Sequence, residues 1–100
     1  MAKKVYPATA RRRPPTHPGE LMRETLGHLD LSIAEAARRM KITRAALYAV
    51  LNGRAAVTPE MAVRFGKIGG GEPSLLVQMQ GARDLWLAEQ RLADQFGAAA

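Results

Sequence analysis

The chain has 100 residues, a net charge of +6, 47% hydrophobic residues and no cysteine. That length supports one modest core, and the lack of Cys excludes a disulfide scaffold and makes the reducing cytoplasm the expected compartment. Two His without Cys point to no metal site, and no apolar run approaches the ~20 residues of a membrane span.

Residues 1–16 carry Lys3, Lys4, Arg11, Arg12 and Arg13 with no acid, together with Pro7, Pro14 and Pro15. No apolar periodicity runs through them, so a disordered basic arm is expected there and not a signal peptide. The ordered domain is expected over residues 17–96. Thr16-His17-Pro18-Gly19-Glu20 opens it, because a Pro at the first helical position loses only an N–H that would be unpaired anyway. His17 reads as part of that capping turn and not as a ligand. The first helix carries Leu21, Met22, Thr25 and Leu26 on one face and stops near Leu26, with Gly27 as the stop signal.

Ser32 followed by Glu35 is a capping box, so a second helix starts there and runs through Met40, burying Ala36 or Ala37 along with Met40. Lys41-Ile42 is the turn, with Ile42 pointing inward. Thr43 caps a third helix that buries Leu47, Val50 and Leu51 at helical spacing. Asn52-Gly53 ends it. Thr58-Pro59-Glu60 opens a fourth helix with Met61, Ala62, Phe65 and Ile68 inward. Gly69-Gly70-Gly71 is expected to be a flexible hinge. The last helix starts at Pro73-Ser74 and carries an apolar stripe, Leu75 through Phe96, wider than one core contact needs. Leu76, Met79, Leu85 and Trp86 are the residues expected to meet a second copy of the chain, with the core as the rival place for Trp86. No strand alternation and no internal repeat interrupt this pattern, so the fold class is all-α with five helices.

The second and third helices are joined too closely to lie side by side. They must cross steeply, as in a helix-turn-helix that projects its second helix into a DNA major groove. Charge agrees with this geometry. Arg38, Arg39, Lys41, Arg44 and Arg54 surround the corner against the single acid Glu35. An αα-corner without a nucleic-acid role would leave that clustering unexplained. Catalysis has no support: neither His has an evident partner, the acids are scattered, and Gly69–Gly71 lacks the strand and Lys of a phosphate loop.

The chain also resembles a known family. His17-Pro18-Gly19-Glu20, Leu31-Ser32 with Glu35, Ala37-Arg38, Ile42-Thr43-Arg44, Asn52-Gly53-Arg54 with Val57-Thr58, and Gln80 with Asp84-Leu85-Trp86 are similar to the HigA-type antitoxins of type II toxin–antitoxin systems. These form a branch of the lambda-repressor-like helix-turn-helix proteins. The resemblance implies a homodimer that binds a palindromic double-stranded operator, represses its own operon and neutralises a HigB-like, mRNA-cleaving toxin. It implies no cofactor and no membrane partner. A stand-alone phage-type repressor without a toxin is the alternative.

Carried onto this sequence, the resemblance makes Thr43, Arg44, Ala45 and Ala49 the base-reading set. Arg44 is the strongest of these, since a guanidinium can bond guanine O6 and N7 together, worth ~1–3 kcal/mol of discrimination. Thr43 has three possible uses: cap, phosphate contact or thymine-methyl contact. Arg38, Arg39, Lys41, Asn52 and Arg54 are the expected phosphate contacts. Tyr48 joins them through its hydroxyl, with packing across the helix pair as its rival role. The chain departs from the family at Ile33, where Gln is frequent, and at Gly69 and Leu76, where aromatics are frequent. It departs also at Lys41, where Gly is frequent, so a left-handed turn there costs ~1 kcal/mol or more.

Overall fold

The computed structural model describes residues 13–96, and among them it holds five helices and no strand: α1 Pro18–His28, α2 Ile33–Met40, α3 Arg44–Leu51, α4 Pro59–Lys67 and α5 Pro73–Phe96. Most of the expected basic arm lies outside the described residues. α5 packs on α4 and on α1, while α2 and α3 pack on each other and on α4 and α1 respectively. The shared core includes Met22, Met40, Leu47, Val50, Ala62 and Phe65, each at most 2% exposed.

α1 opens on His17, whose ring has two duties. Its Nδ1 accepts from the Gly19 N–H at 2.9 Å, and its Nε2 donates to the Ala55 carbonyl at 3.1 Å. The ring therefore caps α1 and ties it to the loop after α3. Gly19 explains the next residue of the motif. A Cβ there would lie 2.2 Å from the Val50 carbonyl oxygen, so α1 approaches the end of α3 as closely as backbone allows.

The end of α1 corrects the sequence expectation. Gly27 does not stop the helix, which continues through His28. The left-handed position falls at Asp30, with φ 55°, and the Leu31 N–H reaches back to the Leu26 carbonyl at 3.1 Å. A short polar side chain tolerates that conformation, so Asp30 takes the role expected of glycine.

The three following caps are as the sequence indicates. Ser32 Oγ accepts from the Glu35 N–H at 3.1 Å, Thr43 Oγ1 from Ala46 at 3.0 Å, and Thr58 Oγ1 from Met61 at 3.1 Å. The capping box at Ser32 is only half made, because the Glu35 carboxylate turns to Arg38 and Arg39 instead. Ala36 and Ala37 are both buried, beside Met40. Lys41 is left-handed, with φ 61° and ψ 43°, so this chain carries the strain that Gly avoids. Arg64 of α4 donates to the Met40 carbonyl at 2.9 Å and so closes the open end of α2 beside that strained residue.

In Gly69–Gly71, the expected hinge, the outer two glycines are exposed and the middle one is packed. A Cβ on Gly70 would stand 2.2 Å from Phe65 Cδ2, and the Gly70 N–H donates to the Phe65 carbonyl at 3.0 Å. In α5, only Leu76 and Gln80 are buried. Leu76, expected at a dimer surface, is 3% exposed and belongs to the chain's own core, so a second copy cannot reach it. Gln80 fastens α5 to the body: its Oε1 accepts from the Val57 N–H at 2.8 Å and its Nε2 donates to Asp84 at 2.9 Å. A buried amide satisfied at both ends is a register pin, since any slip of α5 would leave the Val57 N–H unpaired in the interior.

Candidate nucleic-acid interface

α3 divides into two faces. Leu47, Val50 and Leu51 point into the core, while Arg44, Ala45, Tyr48 and Asn52 lie on the exposed side. Arg44, Tyr48 and Asn52 follow at steps of four, so they form one outward ridge. Arg44 stands at the first helical position, where the helix dipole also favours an approaching phosphate. Thr43 accepts the Ala46 N–H through its hydroxyl oxygen, which leaves its O–H free to donate and its methyl group free for an apolar contact. Ala49 is half-buried, and its carbonyl accepts from Arg54 and Ala55 at 2.8 and 3.1 Å. Tyr48, in the middle of that ridge, is 44% exposed.

The expected phosphate residues fall into two electrostatic groups. Arg38 and Arg39 both bond Glu35, Arg38 through both ends of its fork and Arg39 from Nε at 2.9 Å. The hydrogen bonds from Arg38 first, and then Arg39, hold the Glu35 carboxyl down from 4.5 to about 2. One charge of the pair is thus neutralised before any ligand arrives. Lys41, Arg44 and Arg54 are exposed and, among the described residues, form no ion pair. Their cations are the ones available to a polyanion.

Three side chains that the sequence did not single out complete the surroundings. Arg23 of α1 donates from Nη2 to Asn52 Oδ1 at 2.7 Å. Arg64 closes α2, as described above. Arg83 of α5 donates to the Pro15 carbonyl at 2.9 Å and so fixes where the arm meets the body. Each reaches a partner 24 to 68 residues away, so no local pattern announces it. Arg23, Asn52, Gly53 and Arg83, with Glu20 and His17, border an open polar cleft of about 450 Å³. Among the described residues, no group of three metal-ligating side chains occurs and no helix is long and apolar enough to cross a membrane.

A short tight turn, a capped second helix with its polar side outward, and unpaired cations around it define a lambda-repressor-like helix-turn-helix domain. The helix-turn-helix family model matches residues 22–76. An uncharacterised HTH-type transcriptional regulator of Escherichia coli, YddM, is 37% identical over 73 residues, which are 73% of this chain and 78% of that protein. The solved structure of an addiction module antidote protein of the HigA family from Coxiella burnetii superposes with a TM-score of 0.73 at 32% identity, covering 83% of this chain and 91% of that one. The Pseudomonas aeruginosa antitoxin HigA, solved with the higBA promoter, gives a TM-score of 0.75 at 26% identity, with coverage of 83% and 91%. The chain belongs to the helix-turn-helix family of transcriptional regulators, in the branch of the HigA-type antitoxins.

Proposed function

We propose that the chain is a homodimeric repressor that binds a palindromic operator in its own promoter through α3, and an antitoxin that neutralises a HigB-like, mRNA-cleaving toxin. The observation that carries the DNA-binding part is the outward ridge of α3, with Arg44 unpaired at its start and Lys41 and Arg54 on either side. The likeness to an antitoxin solved with its promoter supports the same reading. Arg44 reads bases, with apolar contacts from Thr43, Ala45 and, less openly, Ala49. Tyr48, Asn52, Lys41 and Arg54 hold phosphates, and Arg38 and Arg39 contribute the charge that Glu35 leaves them.

One such helix makes few base contacts, so two copies are needed for tight specific binding, with half-sites about 34 Å apart. On α5, Leu85 is 57% exposed, and Met79 and Trp86, seven residues apart on the neighbouring face, are half-buried; this apolar surface supports a second copy as its occupant. Residues 17–96 are then the DNA-binding and dimerising unit, and residues 1–16 a basic arm.

The test is co-expression with the product of the adjacent short reading frame. The proposal expects that product alone to arrest growth, this chain to restore it, and the two to co-purify. A chain that shifts its own promoter but neither binds nor rescues any such neighbour is instead a stand-alone phage-type repressor.

A further inference from the structure

We propose that Arg23 on α1 is a DNA-positioning residue, gripping one backbone phosphate jointly with Asn52 at the carboxyl end of α3. This rests on the reading of α3 as the DNA-contacting helix. The sequence set Asn52 among phosphate contacts, yet its site is electrostatically unfavourable by itself. Asn52 caps the carboxyl end of α3, where the last carbonyls concentrate partial negative charge, and the last turn of α3 contains no basic residue. Arg54, two residues on, is the nearest cation in sequence, and a phosphate seated on Asn52 itself gains from a second one.

Arg23 supplies it. Its Nη2 lies 2.7 Å from Asn52 Oδ1, on the surface, at the edge of the open cleft. A guanidinium has only donors, so the atom facing it must be the amide oxygen. Asn52 is thereby held with its N–H2 turned away from Arg23 and towards solvent, ready to donate to an anion. The guanidinium keeps its other N–H groups for the same anion. Glu20, one turn earlier on α1, borders the cleft and offsets part of this charge, whereas Arg83 on α5 adds to it. An exposed hydrogen bond of this kind adds little to folding. Its consequence is orientation.

Binding is measured by fluorescence anisotropy on a duplex of the chain's own promoter and on a scrambled duplex, across a salt series. Arg23→Ala should weaken both duplexes by a similar factor and reduce the salt slope by about 0.9, the signature of one lost phosphate contact. Arg23→Lys should keep the slope but lose affinity, because the single ammonium does not fix the Asn52 amide while reaching a phosphate. Asn52→Ala placed on Arg23→Ala should cost less than it does in the unaltered chain, since the two act as a unit. The melting temperature of Arg23→Ala should stay close to that of the unaltered chain. An Arg23→Ala variant that melts normally and retains both affinity and slope overturns the inference. If the unaltered chain does not discriminate its promoter from the scrambled duplex, the reading of α3 fails instead, which is a separate outcome.

Discussion

The α2–α3 corner and the outer half of α5 are built by opposite rules. In the corner, each helix start has a hydroxyl cap, the end of α2 is closed by Arg64, and Ala36, Ala37, Met40, Leu47, Val50 and Leu51 are all buried. Beyond Gln80, α5 buries nothing, yet it displays Leu85, Leu92 and Phe96 at 57%, 38% and 69% exposure. Those three follow at steps of seven and four, so they share a face. The same chain thus uses apolar area in two ways. In the corner it fixes, within one molecule, the angle at which α3 is presented. On α5 it stays exposed, at the face proposed to meet a second copy.

Paired core and surface truncations should separate these rules most sharply. Phe65→Ala should cost about 3–5 kcal/mol of folding stability, because a fully enclosed ring leaves a cavity. Leu85→Ala should change the stability of the folded monomer by under about 0.5 kcal/mol and yet weaken self-association. Denaturant unfolding and sedimentation equilibrium measure the two effects. A Leu85→Ala variant that self-associates as strongly as the parent would place this face outside the contact between copies.

Next in size is the pin where the two regions join. Gln80→Leu deprives the buried Val57 N–H of its acceptor and should cost about 1–3 kcal/mol, read from the same unfolding curves. Lys41→Gly should have effects of opposite sign. Relief of the left-handed strain should stabilise the fold by about 1 kcal/mol, while loss of the ammonium should lower the salt slope of DNA binding by about 0.9.

The smallest effect concerns Glu35. Its carboxyl is held near 2 in the folded chain against 4.5 otherwise, so its contribution is complete above pH 4.5 and fades as pH falls towards 2. Thermal melts across that window should show the loss, and Glu35→Gln should remove this part of it. The same substitution releases Arg38 and Arg39, so it should tighten binding to a scrambled duplex. Unchanged binding would mean that these two guanidiniums do not face the phosphates.

The features legible in the sequence are those governed by neighbours in the chain. The hydroxyl caps at Ser32, Thr43 and Thr58, Pro at the start of α1 and α4, and the core spacing in α3 all rest on contacts within four residues. The misreadings are where a distant partner decides. Gly27 had the composition of a stop, but Asp30 accepts the left-handed turn. The three glycines had the composition of a hinge, but Gly70 is pressed against Phe65. Leu76 belonged by pattern to the apolar stripe of α5, and only packing against the body assigns it to the core. Arg23 and Asn52 are 29 residues apart, and nothing near either one foretells their bond.

If Arg44 reads bases while its neighbours hold phosphates, the ratio of affinities for the promoter duplex and a scrambled duplex depends on that one side chain. Arg44→Ala should collapse that ratio towards one and leave binding to the scrambled duplex largely intact. An Arg44→Ala variant that folds, dimerises and keeps the parental ratio would contradict the account.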